Sequence, residues 1–172
     1  MKKFLLHISG PSCSGKTTLS KILAEKIPDM FTVSSDKLKW QISDYDRERH
    51  GHLRKDIVFG LLETVCKLPL SILLDAPIFN EEDYKHIRQL AETHGHEYVG
   101  VRLETPHDIL IERYTKRLAD SKLTGMKLSI KSVEQYRELL SVECCVPEHT
   151  AVFDTYEMNS EDIANRIIDL LK

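Results

Sequence analysis

The chain has 172 residues, of which 41% are apolar and 30% are charged, and its formal net charge at pH 7 is −3. This balance is typical of one globular domain, and the slight acidity gives no support to binding of nucleic acid through a broad basic face. No apolar run is long enough to span a membrane and the opening segment is too short for a signal peptide, so we expect a single cytoplasmic domain over residues 1–172 with no membrane partner.

The first element is an apolar run, Phe4–Ile8, followed by the glycine-rich stretch Gly10–Thr18 and by helical apolar spacing over 19–27. The glycine-rich stretch has the spacing Gly-x-x-x-x-Gly-Lys-Thr, and we call it the phosphate loop. Glycines let backbone N–H groups point inward, and the N-terminus of the next helix adds positive potential for a polyphosphate. A turn that merely caps the helix is the alternative, but the order strand, loop, helix predicts binding of a nucleoside triphosphate.

The phosphate loop contains residue types with specific expected roles. Lys16 is expected to reach the β- and γ-phosphates and to act in catalysis, and the hydroxyl of Thr17 is expected to bind Mg²⁺. The nucleotide-binding residues predicted in the loop are Gly10, Ser12, Cys13, Ser14, Gly15, Lys16, Thr17 and Thr18. Alkylation of Cys13 should block the nucleotide sterically. The other cysteines, Cys66, Cys144 and Cys145, show no paired spacing with it, which predicts reduced thiols.

The second strand is predicted at Phe31–Ser34, followed by polar, mixed sequence to about Lys55. Asp36, at the end of this strand, is placed to accept a proton from an acceptor hydroxyl or to hold a water bound to Mg²⁺. Helix capping is its alternative role. Segment 36–55 is therefore the candidate acceptor region, where Trp40 either stacks on a ring of the acceptor or packs within the protein. Its bases Arg47, Arg49, Arg54 and Lys55 are candidates to bind an anionic group of the acceptor.

The run Leu70–Asp75 is apolar until its last residue, which is typical of a parallel strand buried on both faces. Asp75 closes this strand at the position where a carboxylate organises Mg²⁺, directly or through water, although Asp-Ala-Pro is also compatible with a plain turn. A helix over about 57–67 is predicted to precede the strand.

Helices and strands continue to alternate in the second half of the chain. Helices are predicted over 81–94, from Pro106 to about 117, over 132–144 and over 160–171, and strands over 96–103 and 151–154. Right-handed crossovers then require an α/β fold with five parallel strands and helices on both faces. Ligands of such folds bind at the carboxyl ends of the strands, where the phosphate loop, Asp36 and Asp75 lie.

Arg113 and Arg117 are four residues apart, so they share one face of the predicted helix. They precede a polar segment, about 118–131, that we interpret as a short lid. An arginine at this place can stabilise the charge of a transferring phosphoryl group, which makes Arg117 a catalytic candidate and Arg113 a nucleotide-binding candidate. Solvated ion pairs with neighbouring acids are the alternative.

Together these motifs resemble the small P-loop kinases, in particular the polynucleotide kinase, zeta toxin and chloramphenicol phosphotransferase group, over nearly the whole chain. Asp36 matches the acid of the family's Asp-x-x-Arg, and Lys39 stands where that pattern has arginine. Asp75 matches the acid after the buried strand, but Asp-Ala-Pro-Ile-Phe replaces the usual Asp-Ala-Thr-Asn. Residues 112–117 match the Glu-Arg-x-x-x-Arg that precedes the lid.

The resemblance implies a three-layer P-loop NTPase domain of the AAA-type ATP-binding class, with sheet order 2-3-1-4-5, ATP and Mg²⁺. It also places Thr155, in the loop after the last strand, beside the adenine. The expected activity is transfer of the γ-phosphate of ATP to a hydroxyl of a small-molecule acceptor. A polynucleotide or nucleotide-conjugate kinase is an alternative that Lys39 and the net charge disfavour, because lysine cannot form arginine's bidentate fork. A nucleotide-binding switch or hydrolase is a second alternative.

Overall fold

The computed structural model describes residues 2–77, 80–142, 146–148 and 150–172. They form one parallel sheet of five strands in the order β2-β3-β1-β4-β5, which confirms the predicted α/β fold and sheet order. The strands are β1 (Phe4–Ser9), β2 (Met30–Ser34), β3 (Ser71–Asp75), β4 (Glu97–Glu104) and β5 (Ala151–Asp154). The helices are α1 (Lys16–Lys26), α2 (Ser35–Lys39), α3 (Arg47–Val65), α4 (Glu81–Thr93), α5 (His107–Thr124), α6 (Val133–Leu140) and α7 (Ser160–Leu170).

Two apolar clusters fill the space between the sheet and the helices on its two faces. Helices α1 and α7 pack on one face against β1, β4 and β5, whereas α3 and α4 pack on the other face against β2 and β3. Strand β1 serves both clusters, because Leu6 points to the first and Leu5 to the second. The central strands are therefore buried on both sides, and their carboxyl ends meet at one edge of the sheet.

His7 on β1 fixes the chain just beyond the end of β3. Its Nε2 lies 2.9 Å from the carbonyl oxygen of Ala76, and its Nδ1 lies 3.1 Å from the hydroxyl of Tyr98. Because a carbonyl only accepts, Nε2 carries the proton and Nδ1 accepts from the tyrosine. Burial lowers the pKa of His7 to about 4, so the ring is neutral at physiological pH. This contact holds the backbone next to Asp75 against the central strand.

Two helices extend further than the sequence pattern predicted. Helix α3 begins at Arg47, ten residues before the predicted start at 57, because the side chain of Asp46 accepts from the N–H groups of Glu48 and Arg49. Helix α5 continues through the first half of the predicted lid and ends at Gly125, whose φ is 71°. The non-helical part of that segment is therefore short, and its opening and closing remain a prediction.

Some of the predictions concern residues outside the described ranges, and others can be compared with the structure directly. Cys13 and Cys66 are free thiols, whereas Cys144 and Cys145 lie outside the described residues. Ile78 and Phe79 of the motif that begins at Asp75 also lie outside the described residues. So does the predicted end of the helix near residue 144. Among the helices of the described residues, none combines the length and the apolar character needed to cross a membrane.

Candidate functional site

The phosphate loop connects β1 to α1 through three residues with positive φ. These values are 135° at Gly10, 66° at Cys13 and 93° at Gly15. A Cβ on Gly10 would lie 2.5 Å from the carbonyl oxygen of Leu103, so this position needs glycine for space as well as for conformation. No side chain of the described residues caps the N-terminus of α1. Its first N–H groups therefore remain available to phosphate oxygens.

Lys16, the first residue of α1, lies over the phosphate loop. Its Nζ donates to the carbonyl oxygens of Gly10 and Pro11 at 2.8 and 2.6 Å. Burial lowers the pKa of Lys16, while the charges of Asp75 and Asp36 raise it and that of Arg117 lowers it. Three other predicted site residues, Asp75, Asp36 and Arg117, therefore lie within electrostatic reach of Lys16.

The two predicted acids have different environments beside Lys16. Asp75 is buried at the end of β3, and burial raises its pKa; Lys16 opposes this rise, and the negative charge of Asp36 adds to it. The hydroxyl of Ser34 donates to Asp75. Two carboxylates that repel each other near a phosphate loop fit a divalent cation, because the cation relieves that repulsion. Thr17 is exposed in the first turn of α1 and remains the other predicted Mg²⁺ ligand.

Asp36 lies in the first turn of α2, two residues beyond β2, rather than at the end of the strand itself. Its side chain is 64% exposed, although Lys39, its partner, is only 7% exposed. The Nζ of Lys39 lies 2.6 Å from Asp36 Oδ1 and 3.3 Å from Ser129 Oγ, and 5.2 Å from the centre of the Trp40 ring. Lys39 therefore binds Oδ1 of Asp36. The other carboxylate oxygen, Oδ2, is the one that can contact an acceptor.

The charges around Asp36 keep it ionised. Burial acts to raise its pKa, but Lys39, Lys16 and Arg54 outweigh that effect, so the pKa lies below its usual value. Asp75 is the carboxylate that faces this group from β3. An ionised Asp36 can orient an acceptor hydroxyl from the start of the reaction and take its proton as the bond to phosphorus forms.

Replacing Lys39 with methionine is expected to move the acidic limb of the pH–activity profile to higher pH. Lys39 is the largest opposing charge at Asp36, so its loss lets the pKa of Asp36 rise. Because the folded pKa is lowered in the wild type, the pair contributes stability above the unfolded pKa of aspartate. That contribution is lost as the pH falls through the folded pKa. The measurement is kcat/KM against pH for both proteins.

Lys39→Arg is the matched control, because it keeps the charge beside Asp36. It should retain the acidic limb of the wild type even if kcat falls through altered geometry. If a folded Lys39→Met protein shows the wild-type acidic limb, Lys39 does not set the pKa of Asp36.

The other predicted nucleotide-binding residues meet beside the phosphate loop. The guanidinium of Arg113 donates to the carbonyl oxygen of Cys13 at 3.3 Å and to the hydroxyl and carbonyl oxygens of Thr155, both at 3.5 Å. The hydroxyl of Thr155 also lies 2.6 Å from that of Thr105 at the end of β4. Arg117 is exposed one turn further along α5. Their roles with a bound nucleotide remain predictions.

The remaining serine and threonine positions of the loop differ in exposure. Ser14 is fully buried, and its hydroxyl has no hydrogen-bond partner among the described residues. Thr18 is exposed in the first turn of α1, and Ser12 is half-buried. The loop therefore offers backbone groups and the Thr17 and Thr18 hydroxyls to a ligand, with Ser14 packed beneath.

Two tyrosines that the sequence analysis did not select support the phosphate loop from behind. Tyr114 of α5 and Tyr136 of α6 stack with ring centres 4.1 Å apart and planes at 16°. The Tyr136 hydroxyl donates to the carbonyl oxygen of Ser12 at 2.5 Å, and that of Tyr114 donates to Ile130 at 2.8 Å. The sequence predicted a helix over 132–144, but not that one of its tyrosine hydroxyls would reach the loop.

A cleft of about 1080 Å³, which we call the wide cleft, separates segment 40–48 from segment 127–142. Trp40 and Ser129 line it, and both lie next to the Lys39 ammonium that holds Asp36, which itself is not part of the lining. One wall is the predicted acceptor region, and the other consists of the end of the predicted lid and α6. A large cleft therefore lies close to the acid.

The sheet order, the phosphate loop and the charges that surround Lys16 define a kinase-like P-loop domain. A family model described as AAA domain matches residues 5–141. The chain therefore belongs to this AAA domain family, and the expected resemblance to small P-loop kinases is confirmed.

Solved structures share the fold over almost the whole chain. A structure from Chloroflexus aurantiacus has a TM-score of 0.73 at 17% identity and covers 98% of both chains. The Mycobacterium tuberculosis APS kinase CysC, in complex with AMPPNP and APS, has a TM-score of 0.68 at 16% identity and covers 99% of this chain and 98% of that one. A gluconokinase from Sinorhizobium meliloti has a TM-score of 0.60 at 16% identity, with coverage of 98% and 95%.

A similarity in sequence to curated proteins is confined to a short region. Nicotinamide riboside kinase 1 of Homo sapiens is 36% identical over 61 residues, which is 36% of this chain. The Mus musculus protein of the same name is 34% identical over the same length. The matched region spans 31% of the length of each of these relatives.

Proposed function

We propose that the chain is a cytoplasmic, ATP- and Mg²⁺-dependent phosphotransferase that moves the γ-phosphate to a hydroxyl of a small-molecule acceptor. The observation that carries the proposal is the position of Asp36, an ionised carboxylate that lies within electrostatic reach of Lys16 and beside the wide cleft. A phosphate loop alone would suit any nucleotide-binding domain. An acid that lies between that loop and the wide cleft suits transfer of the phosphate to an acceptor in the cleft.

Each predicted site residue has a role in this proposal. Lys16 and the N–H groups of the phosphate loop hold the β- and γ-phosphates, and Arg113 and Thr155 flank the nucleotide. Thr17 and Asp75 would hold Mg²⁺, which neutralises charge on the phosphates when bound. Asp36 accepts the proton of the acceptor hydroxyl at its free carboxylate oxygen, and Arg117 stabilises charge on the transferring group from the end of α5.

The comparisons support a small-molecule acceptor. Nicotinamide riboside kinase, APS kinase and gluconokinase are kinases named for small molecules, and all three resemble this chain in sequence or fold. A polynucleotide kinase would need a cationic track along its substrate. The described lining of the wide cleft instead carries four acidic and three basic side chains.

The test is a phosphoryl-transfer screen with γ-labelled ATP and Mg²⁺. The acceptors would be nicotinamide riboside, uridine, gluconate, APS, an aminoglycoside, chloramphenicol and a 5′-hydroxyl oligonucleotide. We expect a labelled small-molecule product and negligible phosphate release without acceptor. Robust release that no acceptor alters would favour a hydrolase or switch. Labelling of the oligonucleotide alone, with steep loss at higher salt, would favour the polynucleotide kinase alternative.

A further inference from the structure

The size of the wide cleft bears on the acceptor. Its volume of about 1080 Å³ is slightly above the range of roughly 300–1,000 Å³ for pockets that hold drug-sized ligands. One sugar ring would fill only part of this space. The cleft therefore suits a molecule that places a second group beyond the hydroxyl presented to Asp36.

The wall formed by segment 40–48 is aromatic. Trp40 and Tyr45 both line the wide cleft, with ring centres 5.5 Å apart and an angle of 73° between their planes. The ammonium of Lys39 lies 5.2 Å from the Trp40 ring. Lys39 is buried, whereas Trp40 is half-buried and lines the cleft. The side of the indole that faces the cleft can stack on a planar ring.

The charges of the lining disfavour anionic acceptors. The aromatic wall carries Asp44, Asp46 and Glu48 against the single base Arg47. On the opposite wall, the Nζ of Lys131 donates to the carbonyl oxygen of Leu128 at 2.6 Å. Phosphate, sulfate and carboxylate groups bind where cationic donors outnumber acids, whereas the described lining carries the three bases Arg47, Lys127 and Lys131 against four acids.

We propose that the wide cleft selects acceptors that carry a planar ring in addition to their free hydroxyl and that bear no anionic group, with Trp40 and Tyr45 as the specificity-determining residues. This inference rests on the proposed function, because it assigns the acceptor side of the same site. Neutral and cationic rings both satisfy it, since an aromatic wall lined by acids attracts either.

The chain offers a direct reporter, because Trp40 is its one tryptophan. With the phosphate loop saturated by AMPPNP, the intrinsic fluorescence is titrated with matched pairs of compounds. These pairs are uridine with ribose, phenyl glucoside with methyl glucoside, and uridine with uridine 5′-monophosphate. We expect each ring-bearing compound to change the emission and to bind at least about tenfold more tightly than its ring-free partner. The monophosphate should bind more weakly than uridine.

Tyr45→Ala tests the wall while it keeps the reporter. It should weaken binding of the ring-bearing compounds about tenfold and leave the ring-free compounds unchanged. Phe31→Ala is the control, since Phe31 is an aromatic residue of β2 that is 37% exposed and lies outside the cleft lining. Equal affinity within the ring pairs, or tighter binding of the monophosphate than of uridine, would overturn the proposal.

The fluorescence titration needs no catalysis, so it separates this inference from the proposed function. If ring-bearing compounds bind at Trp40 but no acceptor is ever phosphorylated, the proposed function fails and the assignment of the cleft stands. If phosphoryl transfer is observed with a marked preference for ring-free or anionic acceptors, the proposed function stands and the assignment of the cleft fails.

Discussion

Asp36→Asn is expected to lower kcat for phosphoryl transfer by about a hundredfold or more, with little change in the affinity for ATP. The amide keeps the size of the side chain but removes the charge and the capacity to take a proton. Asp36 is ionised in the wild type because Lys39, Lys16 and Arg54 hold its pKa below the usual value. The loss of turnover should therefore appear at every pH above the lowered pKa of Asp36. The measurements are kcat for phosphoryl transfer and, separately, the Kd of AMPPNP.

Asp56→Asn is the matched control for this variant. Asp56 is an exposed acid of α3 that lies outside the site, so the same change in charge should leave kcat at the wild-type level. Wild-type transfer by a folded Asp36→Asn protein would remove Asp36 from the reaction. A loss of AMPPNP binding of similar size would instead assign Asp36 to the nucleotide.

The sheet and the phosphate loop could be predicted because their signals are local. Each strand is a short apolar run and each crossover a periodic helix, so the handedness rule leaves few topologies. The spacing of the loop fixes Lys16 at the first turn of α1, and the end of an apolar strand fixes Asp75. These positions follow from neighbours along the chain, and the structure places both residues together.

The contacts that complete the site join residues that are far apart in sequence. Lys39 reaches Ser129 across 90 positions, and Tyr136 reaches Ser12 across 124. No local pattern specifies which side chain of a buried helix face meets a given carbonyl. The sequence showed only that Lys39 stands at an arginine position of the resembled kinases, whereas the structure shows it buried against Asp36.

The misjudged helix boundaries have a different origin. Residues 118–124 are mostly polar, which favoured a loop, but Leu118, Ala119, Lys122 and Leu123 are good helix formers, and the helix stops only at Gly125. At α3 the capping residue Asp46 was visible in the sequence, yet the polar first turns concealed the apolar period. Polarity alone was a poor guide to irregular structure in both places.

The dependence on Lys16 should exceed that on any other residue. Lys16→Met is expected to lower kcat by about a thousandfold or more and to weaken AMPPNP binding, because it removes the ammonium from the developing charge on the phosphates. In the structure this ammonium is held by the carbonyl oxygens of Gly10 and Pro11 and lies near both acids. Neutral methionine would leave Asp36 and Asp75 without their nearest shared cation.

Lys21→Met is the matched control, since Lys21 is an exposed lysine of the same helix. It should retain wild-type turnover and AMPPNP affinity, and thermal denaturation without nucleotide should show that both variants fold. Lys16→Arg should recover only part of the activity, because a planar guanidinium does not fit the two loop carbonyls as the ammonium does. Full turnover in a folded Lys16→Met protein would mean that the nucleotide phosphates are bound elsewhere than in the phosphate loop.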